Sequence, residues 1–257
     1  MGQDGPVLAV HLLGTFRAAV DDVPIEPWRG GRTRSFFAYL LTHRQPWPTR
    51  DMLMDLFWPG ATPQAARNSL NVAVHTLRRA FRAATDRPVI EFGANAYRLN
   101  PALRLWLDAD EFEQLVGDGQ RLETAGDFEN ATRRYETAAW LYRGGFLADV
   151  RHEEWPVLLR ERLRLTNLEV LDRLGDRYFE AGRYAAAAEL CTRLLHQDPC
   201  RERVHRRLMR CHSRQGYPHL ALLQHRACTA ALRAELGVSP SPATQELYER
   251  IRRHETV

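Results

Sequence analysis

Residues 63–84 read PQAARNSLNVAVHTLRRAFRAA. Pro63 suits the first turn of a helix, where its missing N–H has no intrahelical partner in any case. Beyond it Leu70, Val74, Leu77 and Phe81 recur at steps of four, three and four, the spacing that places residues on one face of an α-helix. A second stripe, Asn68, Asn71, His75, Arg78 and Arg82, runs beside the first and is entirely polar or basic. No acidic residue occurs between Pro63 and Ala84. A solvated helix face usually mixes both signs of charge. The stretch therefore reads as a helix with its apolar stripe in a core and its outer face turned toward something negative. An unpartnered solvated face is the plain alternative.

Upstream, Val7 to Phe16 reads as a strand, and Arg17 to Ile25 as a second extended segment turning at Asp21-Asp22. Pro24 and Pro27 break that pattern. Thr33 to Thr42 carries Phe36, Phe37, Leu40 and Leu41 at helical spacing with Thr33 as N-cap, and Pro46 and Pro48 follow. Arg50 to Trp58 reads as a short second helix with Met52, Leu53, Leu56 and Phe57 inward, closed by a Pro59-Gly60 turn. Downstream, Pro88 to Phe92 and Tyr97 to Leu99 read as two strands about Gly93-Ala94-Asn95. Two strands, three helices and a hairpin follow the order of a winged helix-turn-helix, the third helix being the one that enters a groove.

Residues 101–110, beginning at Pro101, read as a linker, which puts the domain boundary at 104/105. Beyond it the chain is almost wholly helical in pattern. Gly126-Asp127-Phe128, Gly182-Arg183-Tyr184 and Gly216-Tyr217-Pro218 each fall between two helical runs, and the last two glycines are 34 residues apart. That is the period of tetratricopeptide helix pairs. The expected fold is mainly α: an α+β winged helix-turn-helix over residues 1–104, then an all-α tetratricopeptide-like domain over residues 105–257.

Charge follows the same division. Residues 1–104 hold 13 arginines against 8 acids, and residues 105–257 hold 23 against 24. The basic excess lies in the half with the acid-free helix, as expected of a nucleic-acid-binding module. All 36 basic residues are arginine. Without lysine the chain carries neither a Walker-type phosphate loop nor Schiff-base chemistry. Cys191, Cys200, Cys211 and Cys228 match no zinc spacing and read as reduced, packed thiols.

The major groove admits a helix, and asparagine can pair bidentately with adenine there. Asn68, Asn71, His75 and Thr76 are accordingly the candidates for base contact. Arg67, Arg78, Arg79 and Arg82 are candidates for the phosphate backbone, which fixes register and carries most salt-dependent affinity. Arg32 and Arg34, after Gly30-Gly31 at the start of the first helix, are candidates for a phosphate clamp. Asn95 and Tyr97 are candidates for wing contacts.

These residues also carry a resemblance. Leu56-Phe57-Trp58-Pro59, Ala65-Ala66-Arg67-Asn68-Ser69-Leu70-Asn71-Val72, Leu77-Arg78-Arg79-Ala80-Phe81 and the tail Leu232 to Pro242 (LRAELGVSPSP) resemble the Streptomyces antibiotic regulatory protein family. The C-terminal part resembles the bacterial transcriptional activator domain. The resemblance implies an OmpR-like winged helix that binds direct repeats in double-stranded DNA near promoters. It further implies recruitment of RNA polymerase holoenzyme, including its sigma factor, a head-to-tail homodimer on DNA, and control of secondary metabolism. It adds Val72 to the groove-facing set. Thr76 stands where many relatives have arginine or serine, and the hairpin lacks their double glycine.

His152-Glu153-Glu154 supplies too few ligands for a metal, and no nucleophile elbow, paired-histidine motif or calcium loop occurs. No enzyme, cofactor or metal is expected. No apolar run reaches membrane-spanning length, so the expected setting is cytoplasmic. Arg160, Arg162, Arg164, Arg203, Arg206 and Arg207 read as a salt-bridged outer surface of the helical array. The competing readings are a helical-repeat scaffold whose winged helix mediates protein contacts, and an RNA-binding or hydrolytic protein with no detectable site.

Overall fold

The structure is a computed structural model and describes residues 5–26, 31–150 and 153–257. The residues between, which include Gly30 and His152, lie outside the described ones. By packing, the chain divides into two units: residues up to 114 together with 140–164, and residues 115–139 together with 165–257.

The first unit begins with a four-stranded sheet, in the order β3 (Val23–Pro24), β2 (Arg17–Val20), β1 (Val7–His11) and β6 (Arg104–Leu107). Leu8 and Val10 alternate into the core on β1 (Val7–His11), as do Ala18 and Val20 on β2 (Arg17–Val20). Asp21 and Asp22, both in the left-handed region, turn β2 into β3 (Val23–Pro24). Aspartate tolerates that conformation because its short side chain bonds locally. In this turn the Asp21 carboxylate also reaches across to β1, where it accepts the Val7 N–H at 2.8 Å. α1 (Gly31–Thr42), α2 (Arg50–Phe57) and α3 (Pro63–Phe81) follow. Next comes a hairpin of β4 (Ile90–Gly93) and β5 (Ala96–Leu99).

Four expectations change here. α1 starts at Gly31, so Thr33 lies inside the helix and is not its cap. Val7 to Phe16 is strand only as far as His11. On α2 the buried residues are Leu53, Met54 and Phe57, while Met52 and Leu56 are exposed. In an eight-residue helix a one-position shift of face fits the apolar pattern nearly as well. The expected linker contains a strand, β6 (Arg104–Leu107), paired parallel to β1 with Leu8 opposite Leu105 and Val10 opposite Leu107. Four residues of alternation directly after a proline turn are too short to register as a strand. The sequence boundary at 104/105 thus does not coincide with the division that packing makes.

α4 (Asp108–Thr124) starts directly after β6. Asp108 is 1% exposed, and its carboxylate accepts the N–H groups of Leu12 at 2.7 Å and Leu13 at 3.0 Å. Later, the segment after α5 (Phe128–Leu141) packs on α1. Trp155 Nε1 donates to Ser35 Oγ at 2.8 Å, and its ring meets Tyr39 edge-on at 5.1 Å. Arg160, on α6 (Val157–Glu180), donates to the carbonyls of Phe146 at 2.8 Å and Val150 at 3.0 Å. It is a backbone clasp, not an outer-surface ion-pair residue.

The second unit is all helix, adding α7 (Tyr184–Gln197), α8 (Glu202–Arg214), α9 (Pro218–Leu236) and α10 (Pro242–Arg252). At Gly182 and Gly216 the chain turns left-handed, and the next residue's N–H returns to the carbonyl five positions back, Tyr178 and His212 respectively. This is the helix-ending motif that glycine favours, and it generates the 34-residue repeat as helix, glycine turn, helix. Met209, Ala221, Leu247 and Ile251 form one apolar cluster of this array.

Ion pairs join its alternate helices. Glu123 on α4 pairs with Arg173 and Arg177 on α6. Asp172 and Asp176 on α6 pair with Arg203 and Arg207 on α8. Glu202 on α8 accepts from Ser241 and Thr244 at the start of α10. Arg207 is buried, contrary to the expected outer surface, and Gly175 makes room for it: a Cβ there would lie 2.5 Å from Nη1. The cysteines are free, as read from sequence. Burial pushes the Cys191 and Cys228 thiols up to about 11 and that of Cys211 up to about 12, so they stay protonated and act as small apolar side chains.

Replacing Asp108 by alanine orphans two buried N–H groups, each worth roughly 1–3 kcal/mol when unpaired. Urea denaturation of Asp108→Ala is expected to show a loss of about 2–4 kcal/mol. Asp108→Asn keeps an acceptor oxygen and should lose about half as much. Equal losses in the two variants would rule out this account.

Candidate nucleic-acid interface

Thr62 caps α3, its hydroxyl accepting the Ala65 N–H at 3.3 Å, and Pro63 occupies the first turn. The predicted apolar stripe Leu70, Val74, Leu77 and Phe81 is buried, joined by Ala66 and Ala73. Phe81 meets the Phe37 ring at 5.3 Å, and Phe36 meets Phe57 at 5.8 Å and Tyr97 at 6.5 Å. One aromatic core thus holds α1, α2, α3 and β5 together, and it fixes which face of α3 is left outside.

That outer face carries Arg67, Asn68, Asn71, Val72, His75, Arg78, Arg79 and Arg82, all exposed. Asn68 accepts from the Gln64 side chain at 3.3 Å. Thr76 is half-buried, and its hydroxyl donates to the Val72 carbonyl at 2.8 Å. Arg78 donates to the Ile90 carbonyl at 3.0 Å, so its guanidinium rests on the hairpin.

The hairpin turns at Ala94 and Asn95, both left-handed. It is tied to the start of α2: the Asn95 carbonyl accepts the Arg50 N–H at 2.9 Å, and the Pro48 carbonyl accepts the Tyr97 N–H at 3.0 Å. Asn95 is exposed at the tip. Tyr97 is 5% exposed, its ring 4.7 Å from that of Phe92. As a candidate wing contact it is corrected to a core residue that shows only an edge. Arg34 is also corrected. It is ion-paired with Asp149, whose other oxygen accepts the Phe16 N–H at 3.3 Å, so its charge is already used inside the unit. Arg32 is exposed at the start of α1.

Two aromatic–cation pairs were not among the residues picked from sequence. The Arg50 guanidinium lies 4.4 Å over the exposed Phe92 ring, and that of Arg98 lies 4.7 Å over Trp47 while pairing with Glu91 at 2.8 Å. Arg50, Asn71, Val74, His75, Arg78, Phe92 and Tyr97 line one recess of about 340 Å³ between α3 and the hairpin. No acid lines it. Its only sequence signal is an arginine opening α2 and an aromatic on each hairpin strand. Which aromatic faces out depends on strand register, which a single residue's slip reverses.

A metal centre has no counterpart: among the described residues no three His, Cys, Asp or Glu side chains group to hold an ion. No described helix is long and apolar enough to cross a membrane.

Comparison with known proteins assigns this architecture. Residues 107–252, more than half of the chain, match the bacterial transcriptional activator domain. The chain belongs to that family. It is 27% identical over 224 residues to the transcriptional regulatory protein MoaR1 of Mycobacterium tuberculosis, covering 86% of this chain and 72% of the relative. It is 29% identical over 238 residues to the regulatory protein AfsR of Streptomyces coelicolor, covering 89% of this chain and 23% of that longer one. The solved structure of Mycobacterium tuberculosis EmbR in complex with a low affinity phosphopeptide is similar at a TM-score of 0.77. It is 25% identical and covers 98% of this chain and 66% of that one. The chain is accordingly a regulator of the Streptomyces antibiotic regulatory protein type, a non-enzymatic class.

Arg34 and Arg79 should behave differently on substitution. Arg34→Ala is expected to destabilise by about 1–2 kcal/mol, since it leaves a half-buried Asp149 without its counter-ion. Arg79→Ala, on an exposed face, should stay within about 0.5 kcal/mol of the parent. Thermal denaturation of both variants checks this.

Proposed function

We propose that this chain is a sequence-specific DNA-binding transcriptional activator, with α3 in the major groove and the β4–β5 hairpin as a wing on the neighbouring backbone or minor groove. The observation that carries the reading is the outer face of α3, exposed and free of acid along the whole helix, with the basic recess at its side. A duplex is a dense line of negative charge, so an acid on that face would be repelled by every nearby phosphate. A protein-contact surface has no such need.

In this arrangement Asn68, Asn71, Val72 and His75 address base edges. Thr76 sits beside them with its donor committed to its own helix. Arg67, Arg79, Arg82, Arg32 and Arg50 take phosphates, and Arg78 braces the wing against α3. The relatives are named as transcriptional regulators; the family resemblance alone implies direct-repeat sites near promoters, head-to-tail neighbours on them, and contact with RNA polymerase holoenzyme and its sigma factor. Residues 1–104 would carry the DNA contacts, and the helical array would carry those to the transcription machinery.

A mobility-shift titration against duplex DNA from upstream of the chain's own coding sequence, at several salt concentrations, tests the reading. The parent should bind with a steep salt dependence. Asn71→Ala combined with His75→Ala should lose preference for the site while keeping weak, salt-sensitive binding. Arg79→Ala should weaken binding to all sequences alike and lower the slope of log K against log salt by about one. No binding even at low salt would overturn the proposal in favour of a protein-contact scaffold.

A further inference from the structure

Val72 stands out on α3. It is 65% exposed, and no other large apolar side chain on this helix is comparably exposed among the described residues. At about 100° per residue, it falls opposite the buried stripe, near the middle of the outward face. Asn68 and His75 flank it on the wing side and Thr76 on the other. Neither packing nor local propensity accounts for it. Its side chain is largely outside any core, and a β-branched residue is a poorer helix former than alanine, glutamine or arginine. Thr76 reinforces the exception. With its hydroxyl hydrogen directed to the Val72 carbonyl at 2.8 Å, it has a methyl to offer a ligand but no O–H donor. The centre of an otherwise polar and basic face is therefore a small apolar spot bordered by amides and an imidazole.

In the major groove one base-edge feature is apolar, the C5-methyl of thymine. We propose that Val72, with the Thr76 methyl beside it, reads that methyl group, so that the recognised site contains a thymine beneath the middle of α3. Asn68 and Asn71 are then within a turn of the same pair or its neighbours, where adenine presents the donor and acceptor that a carboxamide matches. Thymine beside adenine satisfies the apolar spot and the amides together. Cytosine leaves the spot facing an amino group and water. This inference rests on α3 occupying the major groove.

The experiment takes duplexes enriched by the parent chain from a random-sequence library and replaces their thymines one at a time by deoxyuridine, which removes only the C5-methyl. At one thymine the parent should lose about three- to tenfold in affinity, the worth of one buried methyl contact. Val72→Ala should bind the thymine and deoxyuridine duplexes equally at that position. Its unfolding midpoint should match the parent's, because the side chain is exposed. If every deoxyuridine duplex binds the parent as tightly as the thymine one, or if Val72→Ala keeps the full discrimination, the methyl reading is wrong while the DNA reading stands. If no sequence is enriched over the random pool, both fall.

Discussion

One buried carboxylate joins two distant parts of the chain. The strand β1 ends with two backbone N–H groups, those of Leu12 and Leu13, that have no sheet partner to go to. Asp108, 96 residues away from Leu12, accepts both from the first position of α4. An unpaired buried N–H is costly, so this carboxylate sets where β1 stops, where β6 lies beside it and where α4 begins. His11 lies 3.6 Å from the same carboxylate, and its ring meets Trp106 of β6 edge-on at 5.2 Å, adding a second contact at the same corner. The N-terminal sheet thus takes its fourth strand from Arg104–Leu107 and its polar anchor from Asp108.

That dependence explains what could be read in advance. Long periodic segments were legible: the core stripe of α3, its acid-free outer face, and the glycine turns of the helical array. Each is a local pattern repeated often enough to outweigh noise. The turn at Asp21-Asp22 was legible too, because it draws on local backbone chemistry. β6 was not, since four residues carry little periodicity and their partner lies almost a hundred positions upstream. The inward face of α2 and the outward placing of Tyr97 failed for the same reason: in very short elements, facing is decided by neighbours from elsewhere in the chain.

Among the arginines the difference is one of partners. Composition counts them all as positive, but the structure divides them. Arg34, Arg160 and Arg207 are committed to Asp149, to backbone carbonyls and to Asp172 with Asp176. Such groups hold elements together and present little charge outside. Those on the outer side of α3 face no carboxylate on their own helix, and Arg50 joins them with its guanidinium over the Phe92 ring. A stacked guanidinium keeps its in-plane N–H groups available while its face is occupied. Unit by unit, then, net charge is a weaker guide than whether each cation already has its anion.

The attachment of the hairpin to the start of α2 has a consequence of its own. The carbonyl of Asn95 and the N–H of Tyr97 are bonded to Arg50 and Pro48, Arg78 reaches from α3 to β4, and Tyr97 is sunk into the aromatic core. The hairpin is thus held at three points to the helices beside it. Any ligand that spans α3 and the hairpin meets a surface already in its final shape, and the entropy of ordering a loop has been settled during folding, not at the moment of encounter. The separation between the two contacting elements then acts as a fixed ruler, selecting among ligands by spacing as well as by chemistry.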